Sequence, residues 1–322
     1  MPIKKIYHVN FQNTVTLGSA FLVTCIFNYL LKDKNIIAIP MLKDFFSNNC
    51  PEIKNYNVSL GESLFNFNIP KDYIFENKRW DIAFALYDEL KTFAKFLNPS
   101  IKNQKSYSDY KHLSYYYIQN PINFNAIETA VSYNNVFSIK KEIYDEADIF
   151  LNKNNLQNYD VIHYVPSFRV GYKKNTLNDH KNLLDKACSL IQTEKLLVAS
   201  SETWVIDYVK NKLHDKTVIN FNSKKLENNY SQNYNFLDPS KSFFKNKLDY
   251  INFHKNLLIE WLIVSKGQQI IRNRSTAGTF ASAINNKNSI LIDNDNYLSF
   301  DELNTRYKNI KLEYNLYEDT ST

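Results

Sequence analysis

The chain has 322 residues, a formal net charge of +6 and 44% hydrophobic residues, with 5 Gly and 8 Pro against 23 Tyr and 22 Phe. That length suits two ordinary domains with real cores, and the composition excludes collagenous, linker-like and disordered classes. The lysines are spread among acids, which favours an anionic ligand without requiring nucleic acid.

Arginine is scarce: only Arg79, Arg169, Arg272, Arg274 and Arg306 occur. Lysine cannot reproduce the planar, bidentate grip of a guanidinium on phosphate, so each arginine is informative. Cys25, Cys50 and Cys188 are widely spaced and form no Cys-x-x-Cys pair. A reducing compartment follows, and the chain reads as cytoplasmic.

In chain order, KKIYHVNF reads as a first strand. The next segment, FQNTVTLGSAFLVTCIFNYLL from Phe11 to Leu31, is uncharged and about as long as a membrane span. Gln12, Asn13, Thr14, Thr16, Ser19, Thr24 and Asn28 lower its hydropathy, so a buried helix is expected and a membrane anchor is the alternative. NIIAIPM is a second strand. Residues 43–155 are less regular. RWDIAFALYDELKTFAKFL places Trp80, Phe84, Tyr87, Leu90 and Phe93 near helical spacing, NPSIKNQKSYSDY reads as a loop, and Tyr115, Tyr116 and Tyr117 read as packing residues.

From Asp160 onward strands and helices alternate clearly. DVIHYVPSF, KLLVASS, KTVINF, QQIIRNR and NSILID read as strands. HKNLLDKACSLIQ, ETWVIDYVKNKL, DYINFHKNLLIEWLIVSK and STAGTFASAINN read as helices. This pattern builds an open parallel sheet covered on both faces. The expected boundary lies near residue 155, giving Rossmann-like units over 1–155 and 156–322.

Ligands of open parallel sheets bind beyond the carboxyl ends of the strands, which singles out three loops. Ser167-Phe168-Arg169-Val170-Gly171-Tyr172 has an arginine at a strand end and a glycine for a tight turn. Ser200-Ser201-Glu202-Thr203 presents two hydroxyls and a carboxylate before a helix. Arg272-Asn273-Arg274-Ser275-Thr276-Ala277-Gly278 opens a helix of small residues, whose free N–H groups favour an anion. Taken singly, each feature also fits a surface ion pair or an ordinary N-cap. Their succession along one sheet edge favours a site.

In this order the three segments resemble the fucosyltransferase superfamily, which includes the alpha-1,2, alpha-1,6 and protein O-fucosyltransferases. The family's His-x-Arg-x-Gly-Asp-like turn corresponds to residues 167–172, with Arg169 and Gly171 kept, Ser167 in place of histidine and Tyr172 in place of aspartate. Its strand ending Ser-Asp-Asp before an aromatic-bearing helix is similar to KLLVASSETWVIDYVK, with Glu202 near the acidic position. Its Asp-Leu-x-x-Leu-Ser-x-Cys helix, strand and serine loop are similar to EWLIVSKGQQIIRNRSTAGTFASAI, with Glu260 near the aspartate and Ser275-Thr276 at the serines.

The resemblance implies an α/β, GT-B-like fold of two Rossmann-like domains facing across a cleft, the first on the acceptor side and the second binding a nucleotide-sugar. It implies an inverting glycosyltransferase that moves fucose or a related sugar from a GDP-linked donor to a glycan hydroxyl in polysaccharide synthesis. Arg169 would be catalytic, with Ser167, Gly171, Ser201, Glu202, Arg274, Ser275 and Thr276 binding the donor. No cofactor or metal is expected beyond the donor. His8, His112, His163, His180, His214 and His254 lack metal-ligand spacing, and Asp293-Asn294-Asp295 reads as a turn. Partners are the donor and a glycan acceptor, with no nucleic acid; peripheral association at the inner face of a membrane is compatible with this. Alternatives are another GT-B transferase, heptosyl- or pyruvyl-transferase-like, or a non-catalytic nucleotide, glycan or nucleic-acid binder. No Gly-x-Gly-x-x-Gly or P-loop occurs, which disfavours dehydrogenases and ATPases.

Overall fold

The computed structural model describes residues 5–10, 17–41, 63–72, 74–81, 92–93, 95–99, 123–166, 176–221, 247–284 and 289–292. Two parallel sheets organise the α/β chain. The first joins β1 (Lys5–Asn10), β2 (Ile36–Met41) and β4 (Ile74–Asp81) in the order β2-β1-β4. The crossover from β1 to β2 is α1 (Leu17–Leu30), 14 residues long and buried throughout its central turns. No described helix is long and apolar enough to cross a membrane.

The polar residues of α1 have structural uses. Among the described residues β2 is an edge strand, and Asn28 takes the outer place for one residue: its Nδ2 donates to Ala38 O at 2.9 Å and its Oδ1 accepts from Ala38 N at 2.7 Å. The chain then leaves α1 through Asn35, held at φ 55°; Asn155 after the later helix α3 (Lys141–Lys153) has φ 50°. Asparagine tolerates this left-handed conformation, and so ends helices in a chain with few glycines.

The helix expected from Arg79 is corrected at its start. Arg79, Trp80 and Asp81 belong to β4 and pair with His8, Val9 and Asn10. Ladder bonds to a neighbouring strand override the helical spacing of the side chains, which persists in the helical residues 92–93 and 95–97. The intervening 82–91 lie outside the described residues, as do Tyr115, Tyr116 and Tyr117. The irregular region also contains β3 (Phe65–Phe67), antiparallel to β5 (Phe137–Ile139), and α2 (Phe124–Tyr133).

The second sheet contains β6 (Tyr159–His163), β7 (Lys195–Ala199), β8 (Thr217–Ile219), β9 (Gln269–Arg272) and β10 (Ser289–Leu291), in the order β10-β9-β6-β7-β8 and wholly parallel. Its helices are α4 (Leu177–Cys188), α5 (Thr203–Lys212), α6 (Lys247–Ser265) and α7 (Thr276–Ile284). Alternation sorts the faces: Val161, Leu197 and Ile270 join the core containing α6 and α7, while Ile162, Val198 and Ile271 join that of α4 and α5. The first core continues across residue 155. Phe21 of α1 packs edge-on against Phe280 of α7 at 4.6 Å between ring centroids, and Phe280 meets Trp261 of α6 at 5.2 Å.

Asn28→Leu keeps the branched shape, with two bulkier methyl groups, and strands both Ala38 backbone groups. We expect it to lower the unfolding free energy by about 3 kcal/mol, the scale of two buried polar groups losing partners. Urea denaturation followed by circular dichroism measures this, and a loss under about 0.5 kcal/mol would show that the edge finds other partners.

Candidate functional site

The strand order reverses between β6 and β9. From β6 the chain proceeds to α4 on one face, and from β9 to α7 on the other, the topology at which open parallel sheets bind their ligands. Asn273, directly after β9, spans that point. Its Nδ2 donates to Val165 O at 2.8 Å and its Oδ1 accepts from Val165 N at 3.1 Å, holding the continuation of β6 beside β9.

The next residues build the start of α7. Ser275 Oγ accepts from Gly278 N at 2.9 Å, an N-cap bond, and lies 3.4 Å from Nδ1 of buried His163. A Cβ on Gly278 would stand 3.0 Å from Arg272 Cδ and Ser275 Oγ and 3.2 Å from His163 Nδ1. The glycine thus lets helix, strand end and histidine converge. Among the described residues, Thr276 Oγ1 is buried without a hydrogen-bond partner. Helix geometry also leaves the amides of Thr276 and Ala277 without intrahelical acceptors. Arg274, 9% exposed, is beside them in sequence.

The two arginines of this loop differ in place. Arg272 is the last residue of β9, and its Nε donates to Ser289 Oγ at 2.6 Å while its guanidinium lies 5.8 Å from the Phe124 ring centre. It ties β9 to β10 and α2. Arg274 follows the strand and belongs to the turn into α7.

At the end of β7, Ser200 Oγ accepts from Glu202 N at 3.2 Å. Glu202 occupies the N-cap position of α5 yet makes no cap bond with its side chain. Its Oε2 instead accepts from Trp204 Nε1. Ser201 is half-buried beside it. The indole is 6.3 Å from the His180 ring, and His180 Nδ1 shares a 2.7 Å hydrogen bond with buried Tyr164 Oη. Of the residues at this end, sequence reasoning reached Ser201 and Glu202 and missed Trp204. Its signal was an aromatic two positions after an acid at a helix start.

Ser167, Arg169 and Gly171 lie outside the described residues, as do Tyr172, Cys50, His112 and Asp293-Asn294-Asp295. The described chain resumes at a capping box: Thr176 Oγ1 accepts from Asp179 N at 3.2 Å, and Asp179 Oδ2 from Thr176 N at 2.7 Å.

Other reactive side chains have structural uses. Asp160, at the amino end of β6, accepts from the Gln192 and Thr193 amides at 2.7 and 3.1 Å. Burial pushes the Cys25 thiol well up and, with Asp185 adding to the effect, the Cys188 thiol to about 11, so neither is a ready nucleophile. Among the described residues no cluster of His, Cys, Asp and Glu is placed to hold a metal ion.

No family model matches the chain, and no curated protein matches its sequence. Its course is similar to that of several solved structures. The fucosyltransferase NodZ from Bradyrhizobium has a TM-score of 0.46 at 8% identity, over 86% of this chain and 91% of that one. A mutant of Arabidopsis thaliana FUT1 in complex with GDP gives 0.48 at 7%, over 89% and 70%. POFUT1 in complex with GDP gives 0.43 at 10%, over 91% and 99%. At such identities no residue's role passes from these proteins to this chain.

Burial lowers the pKa of His180 from 6.5, with the Asp179 charge opposing, so folding favours the neutral ring. That stability is fully present above about pH 6.5 and is lost as pH falls through the depressed folded-state value. We expect thermal melts to show a decline below pH 6.5 that His180→Gln flattens; an unchanged slope in the variant would assign the decline to another group.

Proposed function

We propose that the chain is a GT-B-like, metal-independent glycosyltransferase that transfers fucose or a related sugar from a GDP-linked donor to a glycan hydroxyl with inversion. The motif resemblance over residues 160–292 supports the reaction class. The observation that carries the reading is the start of α7: a helix N-terminus at the switch point of a parallel sheet, with the buried Thr276 hydroxyl lacking a partner among the described residues. A buried hydroxyl left in this way costs about 1–3 kcal/mol, and an anionic oxygen placed there would remove the cost.

The chemistry follows from the leaving group. As the bond from the anomeric carbon to the β-phosphate oxygen breaks, its electron pair remains on the diphosphate. Thr276, the first-turn amides of α7 and Arg274 would meet that charge, and fixed donors in a water-poor site stabilise such a transition state by a few kcal/mol. Arg169, six residues past the end of β6 in sequence, is proposed to complete the grip, with Ser167 and Gly171 shaping its turn. Ser275 would serve twice: its Oγ caps α7 by accepting from Gly278 N, and its O–H is assigned to a phosphate oxygen of the donor. Ser201 and Glu202 are assigned to the nucleoside, and the acceptor is assigned to the N-terminal half.

Thr276→Val separates site from scaffold. Removing an unpartnered buried hydroxyl should leave the melting temperature of the free protein unchanged or raise it, while GDP affinity falls about tenfold, the scale of one hydrogen bond to a charged group. In a thermal-shift panel, GDP and GDP-sugars should stabilise the wild type more than UDP, CMP and their sugars. No shift with any nucleotide, together with salt-sensitive binding to a polynucleotide, would overturn the assignment.

A further inference from the structure

Glu202 is 6% exposed at the carboxyl edge of the sheet, at the N-cap position of α5. The shorter Asp and Asn are the side chains that cap from this position; the longer Glu202 makes no cap bond and is held by the indole N–H of Trp204. The backbone is fixed as well, because the Glu202 N–H is held by Ser200 Oγ at 3.2 Å. The Trp204 ring is in turn flanked by His180, which is bonded to Tyr164. The group therefore has little rotational freedom.

Among the described residues, no partner other than Trp204 meets the carboxylate. A carboxylate has about four acceptor sites, so a buried one with a single donor retains capacity for a ligand with several N–H groups. Resting on the transferase reading above, we infer that Trp204 is a positioning residue whose indole aims Glu202 at the nucleobase, so that the chain selects a base with two adjacent N–H donors. Of the common bases, guanine has that edge, with a ring N–H beside an exocyclic amine. Hypoxanthine keeps the ring N–H and lacks the amine, whereas uracil has one N–H between two carbonyls. An aimed acceptor discriminates strongly against a base that leaves it unmatched.

The test is calorimetric binding of GDP, IDP and inorganic pyrophosphate to the full chain. Wild type should bind GDP about tenfold or more tightly than IDP, as expected for one hydrogen bond to a charged group. Trp204→Phe keeps the ring and removes the N–H; it should bring the GDP to IDP ratio close to one, with pyrophosphate affinity reporting separately on the start of α7. A structural role for the indole would lower melting temperature and leave that ratio intact, and this result would overturn the inference. Should Trp204→Phe fail to fold, Glu202→Gln, with similar shape and a weaker acceptor, must show the same collapse of the ratio or the inference falls. Equal binding of GDP and IDP by wild type would sink the inference and leave the transferase reading standing. Wild-type binding of no nucleotide would sink both.

Discussion

The side-chain amide of Asn273 holds the place on which the candidate site depends. Strands β6 and β9 are neighbours whose following helices depart to opposite faces, so their backbones lose each other as partners just where a ligand would need a firm wall. One asparagine replaces both ladder bonds to Val165, with an amide imitating the missing strand residue. Asn28 does the same at the edge of the first sheet. Each device keeps an irregular backbone paired, and the one at Asn273 lets Arg274 and the start of α7 be placed by a rigid sheet.

The second sheet was legible because its central strands β6, β7 and β9 are buried on both faces. Runs such as VIHYV and KLLVA have no use on a surface, and their alternation with helices left little choice of architecture. The first half was harder. Trp80 sits near helical spacing with Phe84 and Tyr87, yet its own backbone is in β4, because β1 offers ladder bonds that a local pattern cannot reveal. The short antiparallel pair β3-β5 depends on Phe65 meeting Ile139, a contact between distant residues with no local signature.

The site was legible as a set of loops and illegible as a division of labour. Sequence reasoning assigns Arg274 and not Arg272 to the donor, although both guanidiniums stand in one segment. Strand register separates them: Arg272 is paired opposite His163 and Leu291 within the sheet, whereas Arg274 lies past its end. Ser275 and Thr276 likewise appear as equivalent hydroxyls, until Gly278 N is found bonded to one of them. Conversely, His163 seemed unremarkable because no metal-ligand spacing surrounded it, and its neighbourhood exists only because Gly278 lacks a side chain.

This division bears on how a helix start becomes a binding site. A fully satisfied cap gives a stable helix and leaves nothing for a ligand; an empty one leaves the helix frayed. In α7 the two demands fall on adjacent residues. Ser275 caps the helix, and Thr276 keeps a hydroxyl that is unmet among the described residues. The cost of that unmet group in the free protein is the free energy a bound oxyanion would recover, so under the proposed function part of the anion's affinity would be set by the fold before it arrives. At α5 the first turn has no side-chain cap at all, and the nearest carboxylate, that of Glu202, is bonded to the Trp204 indole.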